Sequence, residues 1–446
     1  MSLMRLLPDV FSGTRRGALT RLAWKVLEGG GLVLLGVALA LLLLEGGVRL
    51  LRLGPPPISP GFFWTVPHPL GWALTPNAHG RWFDDWYEYD VDFRVNSQGL
   101  RDDEHTYAKP AETFRILVLG DSFVEAAQVP LESAWHQVLE RELNAAGGRP
   151  VEVVAAGVGG WGTDQELLWF RTEGVRYQPD LVLLVFFPPN DFMNNSRALE
   201  GRNYGRILKP FFDLKDGELV VDNFPFQPPT QETGVPMPPD PPRLLSFLRP
   251  WLRGHSALYR FLDPVLREGA PHLMRPLVGV GLYPPGRETK LAEAGPDYIP
   301  VAYGIYAVPL TAEWEEAVRL TDALLRALQA ESVAIGARLA VILPSAKDQL
   351  YPEHWQRTLT EYPAMRGREW DPEQPYRIVA HLLSEAGIPY LDLLSYFRAE
   401  AARSSSPLHF RHDGHWTPYG HRLAARRVAE FLRAEGLFPP SPPEAR

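Results

Sequence analysis

Three residues of this chain stand in settings that suit nucleophilic catalysis at an ester. Ser122 follows the apolar run 116–119 in the segment FRILVLGDSF, where a buried strand ends in a sharp turn. Asp413 and His415 lie near the C-terminus, in HFRHDGHWTPYGH. A serine hydroxyl becomes a nucleophile when a base accepts its proton, and in the Ser-His-Asp arrangement a carboxylate orients that base. We therefore predict Ser122 as nucleophile, His415 as base and Asp413 as the residue that orients His415.

Two further segments supply donors for the negatively charged oxygen that forms during acyl transfer. Residues 155–165, AAGVGGWGTDQ, contain Gly160, and residues 181–192, LVLLVFFPPNDF, contain Asn190. A backbone N–H at a glycine and the side-chain amide of an asparagine are common donors of an oxyanion hole. Gly160 and Asn190 are therefore predicted to face the same point as Ser122.

Each of these polar residues also has a purely structural interpretation. Ser122 suits a helix cap, Asn190 suits an Asx turn beside Asp191, and Asp413 suits the cap of a following helix. The catalytic interpretation is favoured because it gives all four segments one shared role. Asp413 is also the only acidic residue within the ten positions before His415.

A metal site is a second alternative for the C-terminal segment. His409 and His412, with Asp413 and His415, provide the ligand types that bind zinc. Their spacing matches no common metal motif, and a metal site leaves the GDSF, GVGG and PPND segments without a role. His421 is expected on the first turn of the following helix. We therefore predict that the protein uses no metal and no cofactor.

The elements that position these residues are predicted strands alternating with helices. The strands are expected at 115–119, 151–155, 181–187, 338–343 and 390–393. The helices are expected at 133–145, 164–173, 311–332 and 419–435. This alternation predicts a doubly wound parallel sheet covered on both faces. Ser122, Gly160 and Asn190 then meet at the carboxyl ends of its strands, where such sheets bind ligands.

The segments GDSF, GVGGWGT, PPND and DGHW resemble, in this order, the four sequence blocks of the SGNH (GDSL-type) hydrolase superfamily of serine esterases and acyltransferases. The resemblance covers about residues 90–200 and 310–435. It implies a flavodoxin-like, three-layer α/β fold, a Ser122–His415–Asp413 triad, and an oxyanion hole formed by the amides of Ser122 and Gly160 with the side chain of Asn190. In many members the aspartate lies three positions before the histidine, whereas Asp413 lies two positions before His415. This D-x-H-W spacing is similar to that of bacterial polysaccharide O-acetyltransferases related to the alginate acetylation proteins.

The N-terminus predicts a membrane anchor. A basic tail over residues 1–25 precedes an anchor predicted at 26–51, whose central residues 29–44 carry no charge. The surplus of basic residues before the apolar run predicts a cytoplasmic N-terminus, so the rest of the chain is expected outside the bacterial cell membrane. Two alternatives are a buried core helix, which is disfavoured because the run lacks a polar face, and a cleaved signal peptide, whose A-x-A match at Ala38 and Ala40 lies inside the apolar run.

The remaining chain divides into a lead-in at 52–110 and a hydrolase domain at 111–440 that is interrupted by an insertion at 194–305. The prolines of residues 54–60 indicate a stiff spacer. The lead-in is dense in aromatic residues: Phe62, Phe63, Trp64, Trp72, Trp82, Phe83, Trp86, Tyr87, Tyr89 and Phe93. These rings suit either sugar stacking or cover of the sheet edge. The insertion is interpreted as a lid that selects substrate or as a structural elaboration.

Composition narrows the class of partner. A net charge of −8 and a pI near 5.9 argue against nucleic acid. The absence of cysteine excludes disulfides and cysteine metal centres. We predict a membrane-anchored serine esterase acting on an acyl ester or acylated glycan. The alternatives are a surface-polysaccharide O-acetyltransferase, supplied with acyl groups by a membrane partner, and a non-catalytic glycan-binding or scaffold protein on the same fold.

Overall fold

The chain forms two compact units. The computed structural model describes residues 14–53, 63–84, 86, 88–145, 147–204, 207–228, 243–286, 295 and 297–438, with side chains from residue 30 onward except residue 34. The smaller unit comprises Met1–Ile58 and Leu244–Tyr283, and the larger unit comprises Ser59–Arg243 and Pro284–Arg446. The predicted insertion at 194–305 is therefore divided between the two units.

The strands all belong to the larger unit. In chain order they are β1 (Trp64–His68), β2 (Gly71–Leu74), β3 (His79–Phe83), β4 (Asp90–Arg94), β5 (Phe114–Gly120), β6 (Val151–Gly157), β7 (Leu181–Val185), β8 (Phe211–Lys215), β9 (Glu218–Asp222), β10 (Arg338–Leu343) and β11 (Tyr390–Asp392). Five of them form one parallel sheet in the order β11-β10-β7-β5-β6. The chain therefore switches direction across the sheet at β5, which is where open α/β sheets form a ligand-binding crevice.

The helices lie in both units. In chain order they are α1 (Thr14–Leu50), α2 (Ser122–Glu125), α3 (Trp135–Ala145), α4 (Thr163–Thr172), α5 (Pro188–Asn194), α6 (Arg197–Tyr204), α7 (Arg249–His255), α8 (Ala257–Gly269), α9 (Pro271–Gly279), α10 (Ala312–Ala334), α11 (Lys347–Leu350), α12 (Pro352–Glu361), α13 (Gln374–Glu385), α14 (Leu394–Ala401) and α15 (Pro418–Ala434). The predicted strands and helices of the sheet domain are confirmed, with ends that differ by at most two residues.

Two hydrophobic cores lie on opposite faces of the sheet, so the larger unit has three layers. In β5, Leu117 and Leu119 face one core, while Ile116 and Val118 face the other. Successive side chains of a strand point to opposite faces, which is why a continuous apolar run suits a strand buried on both sides. Helices α4, α10 and α13 cover the first face, and α3, α14 and α15 cover the second. The predicted doubly wound α/β fold is confirmed.

The lead-in forms two antiparallel hairpins, β1–β2 and β3–β4. Their aromatic residues pack mainly on one another: the rings of Phe63 and Phe93 are 4.5 Å apart, and those of Trp64 and Trp82 are 5.2 Å apart. Phe63 and Phe93 are fully buried and join the core. This arrangement favours a covering role for these four rings over sugar stacking. Phe62, Tyr87, the proline-rich residues 54–60 and 229–242, and the tail 439–446 lie outside the described residues.

Helix α1 and helices α7–α9 make up the smaller unit. Within α1, the 21 residues Gly30–Leu50 are long and apolar enough to cross a membrane, which fits a membrane-anchored protein. Helices α8 and α9 share a small core of Tyr259, Met274, Val278 and Tyr283. Its two tyrosine rings stack in parallel at 4.3 Å.

Candidate active site

Ser122 is the first residue of α2, directly beyond the end of β5. The side chain of the buried Asp121 caps this short helix by accepting a hydrogen bond from the N–H of Phe123 at 2.9 Å. The GDSF segment therefore opens its own one-turn helix, and α3 begins only at Trp135. Helix α2 crosses the end of β6 so closely that a Cβ at Gly157 would lie 2.6 Å from the N atom of Glu125. Only glycine allows the two backbones to approach this closely.

Ser122, His415 and Asp413 form a continuous hydrogen-bonded chain. The Oγ of Ser122 lies 2.7 Å from Nε2 of His415, and Nδ1 of His415 lies 2.5 Å from Oδ1 of Asp413. With its proton on Nδ1, the ring donates to Asp413 and leaves Nε2 free to accept the hydroxyl proton of Ser122. The structure therefore brings together the three residues predicted from the sequence, in the order that proton transfer requires.

Asp413 also controls the proton affinity of His415. Partial burial alone would lower the pKa of His415, but the hydrogen bond and the charge of Asp413 outweigh it and raise the pKa above its ordinary value. The two side chains are 24% and 19% exposed, so solvent only partly screens this interaction. A more basic His415 is a better proton acceptor for Ser122.

Residues of the lead-in hold the loop that carries Asp413. The carboxylate of Glu88 accepts hydrogen bonds from the backbone N–H groups of Arg411, His412 and Asp413, at 2.6, 2.7 and 3.2 Å. The hydroxyl of Tyr89 donates to Oδ2 of Asp413 at 3.1 Å. Analysis of the sequence missed both contacts. They fix the free oxygen of Asp413 and the backbone on its N-terminal side.

Trp86 stacks on His412 at the same loop. The two rings are 4.1 Å apart and nearly parallel. His409 lies against Ser345, with Nε2 3.1 Å from the backbone carbonyl, and Nδ1 of His421 accepts from the N–H of Trp135. The histidines near His415 are thus held by different partners. Among the described residues, no group of three or more His, Asp or Glu side chains is arranged to hold a metal ion.

The loop after β6 directs one backbone amide toward the site. The N–H of Val158 donates to Gly120, that of Gly159 to Glu125, and that of Trp161 to Val158. The N–H of Gly160 has no acceptor among the described residues. Gly160 has φ +78°, a conformation that suits glycine, so the chain turns here without strain. Gly160 can therefore serve as the backbone donor predicted from the sequence.

Side chains clamp this loop from two sides. Nε1 of Trp72 donates to the carbonyl of Gly159 at 3.0 Å, and Nδ2 of Asn194 donates to the carbonyl of Gly160 at 2.7 Å. The carboxylate of Glu125 accepts from the N–H of Gly159. The two peptide groups that flank Gly160, including the one that carries its N–H, are therefore held in orientation, as a preorganised oxyanion donor requires.

Asn190 lies on α5, directly after β7. Its Nδ2 donates to Oδ2 of Asp121 at 3.1 Å, so the residue that caps α2 also orients the Asn190 amide. A primary amide has two N–H groups, and one remains for a substrate oxygen. Ser122, Gly160 and Asn190 thus follow three adjacent strands, β5, β6 and β7, at the same edge of the sheet.

We expect Asn190→Ala to reduce ester turnover by about a hundredfold to a thousandfold, because one oxyanion donor is removed. The measurement is kcat with an activated acetyl ester, together with the melting temperature of each protein. The loss is expected in kcat more than in KM, since the donor acts mainly in the transition state. Near-full activity of the folded variant would contradict the role assigned to Asn190.

Glu125 is a buried carboxylate beside this site that analysis of the sequence did not single out. Burial raises its pKa to about 7, although the N–H of Gly159 and the charge of Arg101 act in the opposite direction. The guanidinium of Arg101 donates to the backbone carbonyls of Glu125, Ala126 and Val129, and so holds the end of α2. Glu125 therefore gains a proton more readily in the folded chain than in the unfolded one.

This pKa predicts a stability that depends on pH. An acid whose folded pKa lies above its unfolded value of 4.5 stabilises the fold at low pH and loses that contribution as the pH rises through about 7. Glu125→Gln keeps an oxygen acceptor for Gly159 without the charge. We expect the variant to gain up to about 3 kcal/mol over the parent protein between pH 5 and pH 8. Unfolding in urea at both pH values measures this, and a difference that does not change with pH would contradict it.

Comparison with known proteins finds a matching family model and a curated relative. Residues 308–445 match the family model described as SGNH hydrolase-like domain, acetyltransferase AlgX. A "Probable alginate O-acetylase AlgJ" of Azotobacter vinelandii is 28% identical over 131 residues, which are 29% of this chain and 31% of that protein. The match thus spans about a third of the relative's length.

Solved structures with a similar fold include two esterases. An acetyl xylan esterase, AlAXEase, has a TM-score of 0.34 and 12% identity, covering 71% of this chain and 98% of the esterase. A lipase/acylhydrolase from Enterococcus faecalis has a TM-score of 0.33 and 13% identity, covering 72% and 96%. The AlgX-type match contains Asp413 and His415, and the segments GDSF, GVGG and PPND precede it on the same sheet. Residues 308–445 therefore resemble an SGNH hydrolase-like domain of the AlgX type.

Proposed function

We propose that this protein is a serine acyl-enzyme that moves an acetyl group from an ester to a glycan hydroxyl. The observation that carries the proposal is the 2.7 Å contact between Oγ of Ser122 and Nε2 of His415. Such a contact is what a serine nucleophile and its general base require, and the N–H of Gly160 and the side chain of Asn190 follow neighbouring strands at the same edge of the sheet. The AlgX-type match over residues 308–445 supports acetyl transfer as the reaction.

The first half of the proposed reaction forms an acyl-enzyme. Nε2 of His415 accepts the hydroxyl proton of Ser122 as Oγ bonds to the ester carbonyl carbon. The carbonyl oxygen becomes an oxyanion, which the N–H groups of Ser122 and Gly160 and the side chain of Asn190 stabilise. His415 then gives its proton to the leaving alcohol as the ester C–O bond breaks. Asp413 stabilises the imidazolium between these two transfers.

The second half releases the acyl group by the same steps in reverse. A hydroxyl group enters in place of the departed alcohol, and His415 accepts its proton as the hydroxyl oxygen bonds to the acyl carbon. Collapse of the second tetrahedral intermediate returns the proton to Oγ of Ser122. The incoming hydroxyl alone decides the reaction: a sugar hydroxyl gives transfer, and water gives hydrolysis.

Hydrolysis is the second candidate. The serine block precedes the histidine block, with Ser122 just after the first strand of the parallel sheet and His415 after the last. This order along the chain is the order of the sequence blocks in the SGNH esterases that the chain resembles. An esterase acting on an acyl ester or acylated glycan therefore stays the alternative to transfer.

The proposed location is the outer face of a bacterial cell membrane, with α1 as anchor. The 21-residue apolar stretch Gly30–Leu50 supports the anchor. Basic residues exceed acidic ones before this stretch, which supports a cytoplasmic N-terminus. A membrane partner that supplies acyl groups would fit this location, since the chain has no predicted cofactor of its own.

The test follows acetyl groups from donor to product. The full chain in detergent is given p-nitrophenyl acetate with and without a β-linked uronate or hexose oligosaccharide, and the products are analysed by mass spectrometry. Acetylated oligosaccharide in the products supports transfer. Release of acetate at a rate unaffected by the oligosaccharide supports the esterase. Failure of a fluorophosphonate to label Ser122 in folded protein would contradict both and favour a non-catalytic protein on this fold.

A further inference from the structure

The start of α8 is capped by a carboxylate from α1. Glu45 accepts hydrogen bonds from the backbone N–H groups of Ala257 and Leu258, both at 2.9 Å, and from the hydroxyl of Ser256 at 2.8 Å. The first N–H groups of a helix have no partner within the helix, and a negative charge there is stabilised by the helix dipole. One side chain of α1 thus satisfies the N-terminus of a helix more than 200 residues away.

Arg49 completes this contact. Its Nε donates to Oε1 of Glu45 at 2.6 Å, and its Nη2 donates to the backbone carbonyl of His255 at 2.5 Å. Glu45 and Arg49 are four residues apart, so they lie on the same face of α1. The pair therefore binds both the end of α7, at His255, and the beginning of α8.

The position of this contact along α1 sets its depth in a bilayer. The apolar stretch ends at Leu50, five residues beyond Glu45, which is about 7 Å along a helix axis. A carboxylate at this distance from the end of a span lies near the boundary between hydrocarbon and headgroups, where a charged residue with a partner is tolerated. In a bilayer that α1 crosses, this contact would place helices α7 and α8 at the level of the lipid headgroups.

An apolar edge is exposed on this part of the smaller unit. It consists of Leu244, Phe247 and Trp251, which are 78%, 72% and 59% exposed. Phe247 lies on a 3-10 turn (Ser246–Leu248) that leads into α7, and Trp251, four residues later, lies on α7, so the two project to a similar side. Leu244 lies in the turn just before them. Large exposed apolar patches usually mark a contact surface, and tryptophan is typical of the membrane interface.

The charge of the same segment favours an anionic surface. Residues 244–283 contain five arginines and two acidic residues, although the whole chain carries a net charge of −8. Helices that combine an apolar face with arginines bind the boundary of bilayers that contain anionic lipids. The larger unit carries more acidic than basic residues, so its charge does not favour binding to an anionic surface.

We propose that α7–α9 form a membrane-interface module whose apolar edge inserts among the lipid headgroups of the bilayer that α1 crosses. The inference goes beyond the proposed catalytic function and rests on it only for the anchoring by α1. The partner is a lipid surface with anionic headgroups. The contact of Glu45 and Arg49 holds the module at the end of the span, and the edge adds a second attachment beside the anchor.

Fluorescence quenching by lipids tests the proposal. The chain has no cysteine, so single cysteines can be introduced at Leu41, Phe247 and Glu268 and labelled with a nitrobenzoxadiazole dye. Leu41 reports on the anchor, Phe247 on the apolar edge, and Glu268 is an exposed charged control on α8. The full-length variants are placed in vesicles of phosphatidylcholine and phosphatidylglycerol that contain lipids with a shallow or a deep doxyl quencher.

We expect the dye at Phe247 to lose emission with the shallow quencher, the dye at Leu41 to lose emission with the deep one, and the dye at Glu268 to be unaffected. Quenching at Leu41 without quenching at Phe247 would overturn the proposal while leaving the anchor in place. A dye at Phe247 that is shielded from water but unquenched would assign the edge to a protein partner, which also overturns it. No quenching at Leu41 contradicts the anchor and the proposal together, without bearing on Ser122 chemistry.

Discussion

Replacing Ser122 with alanine is expected to reduce acyl-ester turnover by about 10⁴-fold or more, because no oxygen remains to form the acyl-enzyme. The oxyanion donors Gly160 and Asn190 stay in place, so substrate binding and a small residual rate are expected to survive. The measurement is kcat and KM for p-nitrophenyl acetate with the full chain. Loss is expected in kcat.

A matched control separates this effect from general damage. Ser384 on α13 donates its hydroxyl to the carbonyl of Ala380 on an exposed helix face, so Ser384→Ala is expected to keep full activity. A fluorophosphonate is expected to label the parent protein and Ser384→Ala but not Ser122→Ala. Turnover that persists in the folded Ser122→Ala protein would show that another residue carries the acyl group.

Replacing Asp413 with asparagine is expected to reduce kcat/KM by about 10³- to 10⁴-fold. An asparagine N–H facing Nδ1 of His415 favours the tautomer with the proton on Nε2, which cannot accept the proton of Ser122. The pH profile should also move. Asp413 raises the pKa of His415, so the rate of the parent protein rises with pH until His415 is neutral, and without that charge the rise should occur at lower pH.

Tyr89→Phe is the control for this prediction. It removes the hydrogen bond from the Tyr89 hydroxyl to Oδ2 of Asp413 but keeps the charge. A single hydrogen bond contributes about 1 kcal/mol, so the rate should fall by about tenfold at most, with little change in the pH profile. Equal losses in Asp413→Asn and Tyr89→Phe, or an acid limb that does not shift in Asp413→Asn, would contradict the orienting role of Asp413.

Local sequence patterns predict the fold of the larger unit, which is confirmed, and the positions of its candidate site residues. Apolar runs such as 116–119 indicate strands buried on both faces, because side-chain direction repeats every two residues. Ser122, Gly160 and Asn190 each lie within five residues of the end of such a strand. Parallel strands share one carboxyl edge, so three residues after three strands must meet there. Asp413 and His415 are two residues apart, and their pairing needs no knowledge of the tertiary fold.

The residues that hold these groups in place became apparent from the three-dimensional structure. Glu88 binds the backbone of a loop more than 300 residues later, and Glu125 binds Gly159 across the ends of two strands. The sequence does not indicate which distant N–H group a given carboxylate binds, because that contact depends on the path of the whole chain.

The three-dimensional structure also showed that the predicted insertion, residues 194–305, is divided between the two units. The sequence presented residues 194–305 as one irregular segment leaving the rim of the site. In the structure, residues 244–283 instead join α1 through Glu45 and Arg49. Local sequence patterns depend on neighbours a few residues apart. The free N–H groups at a helix N-terminus, in contrast, can donate to any carboxylate that folding brings close to them. For this reason the candidate site residues can be predicted from the sequence. The residues that position them can be identified only from the three-dimensional structure.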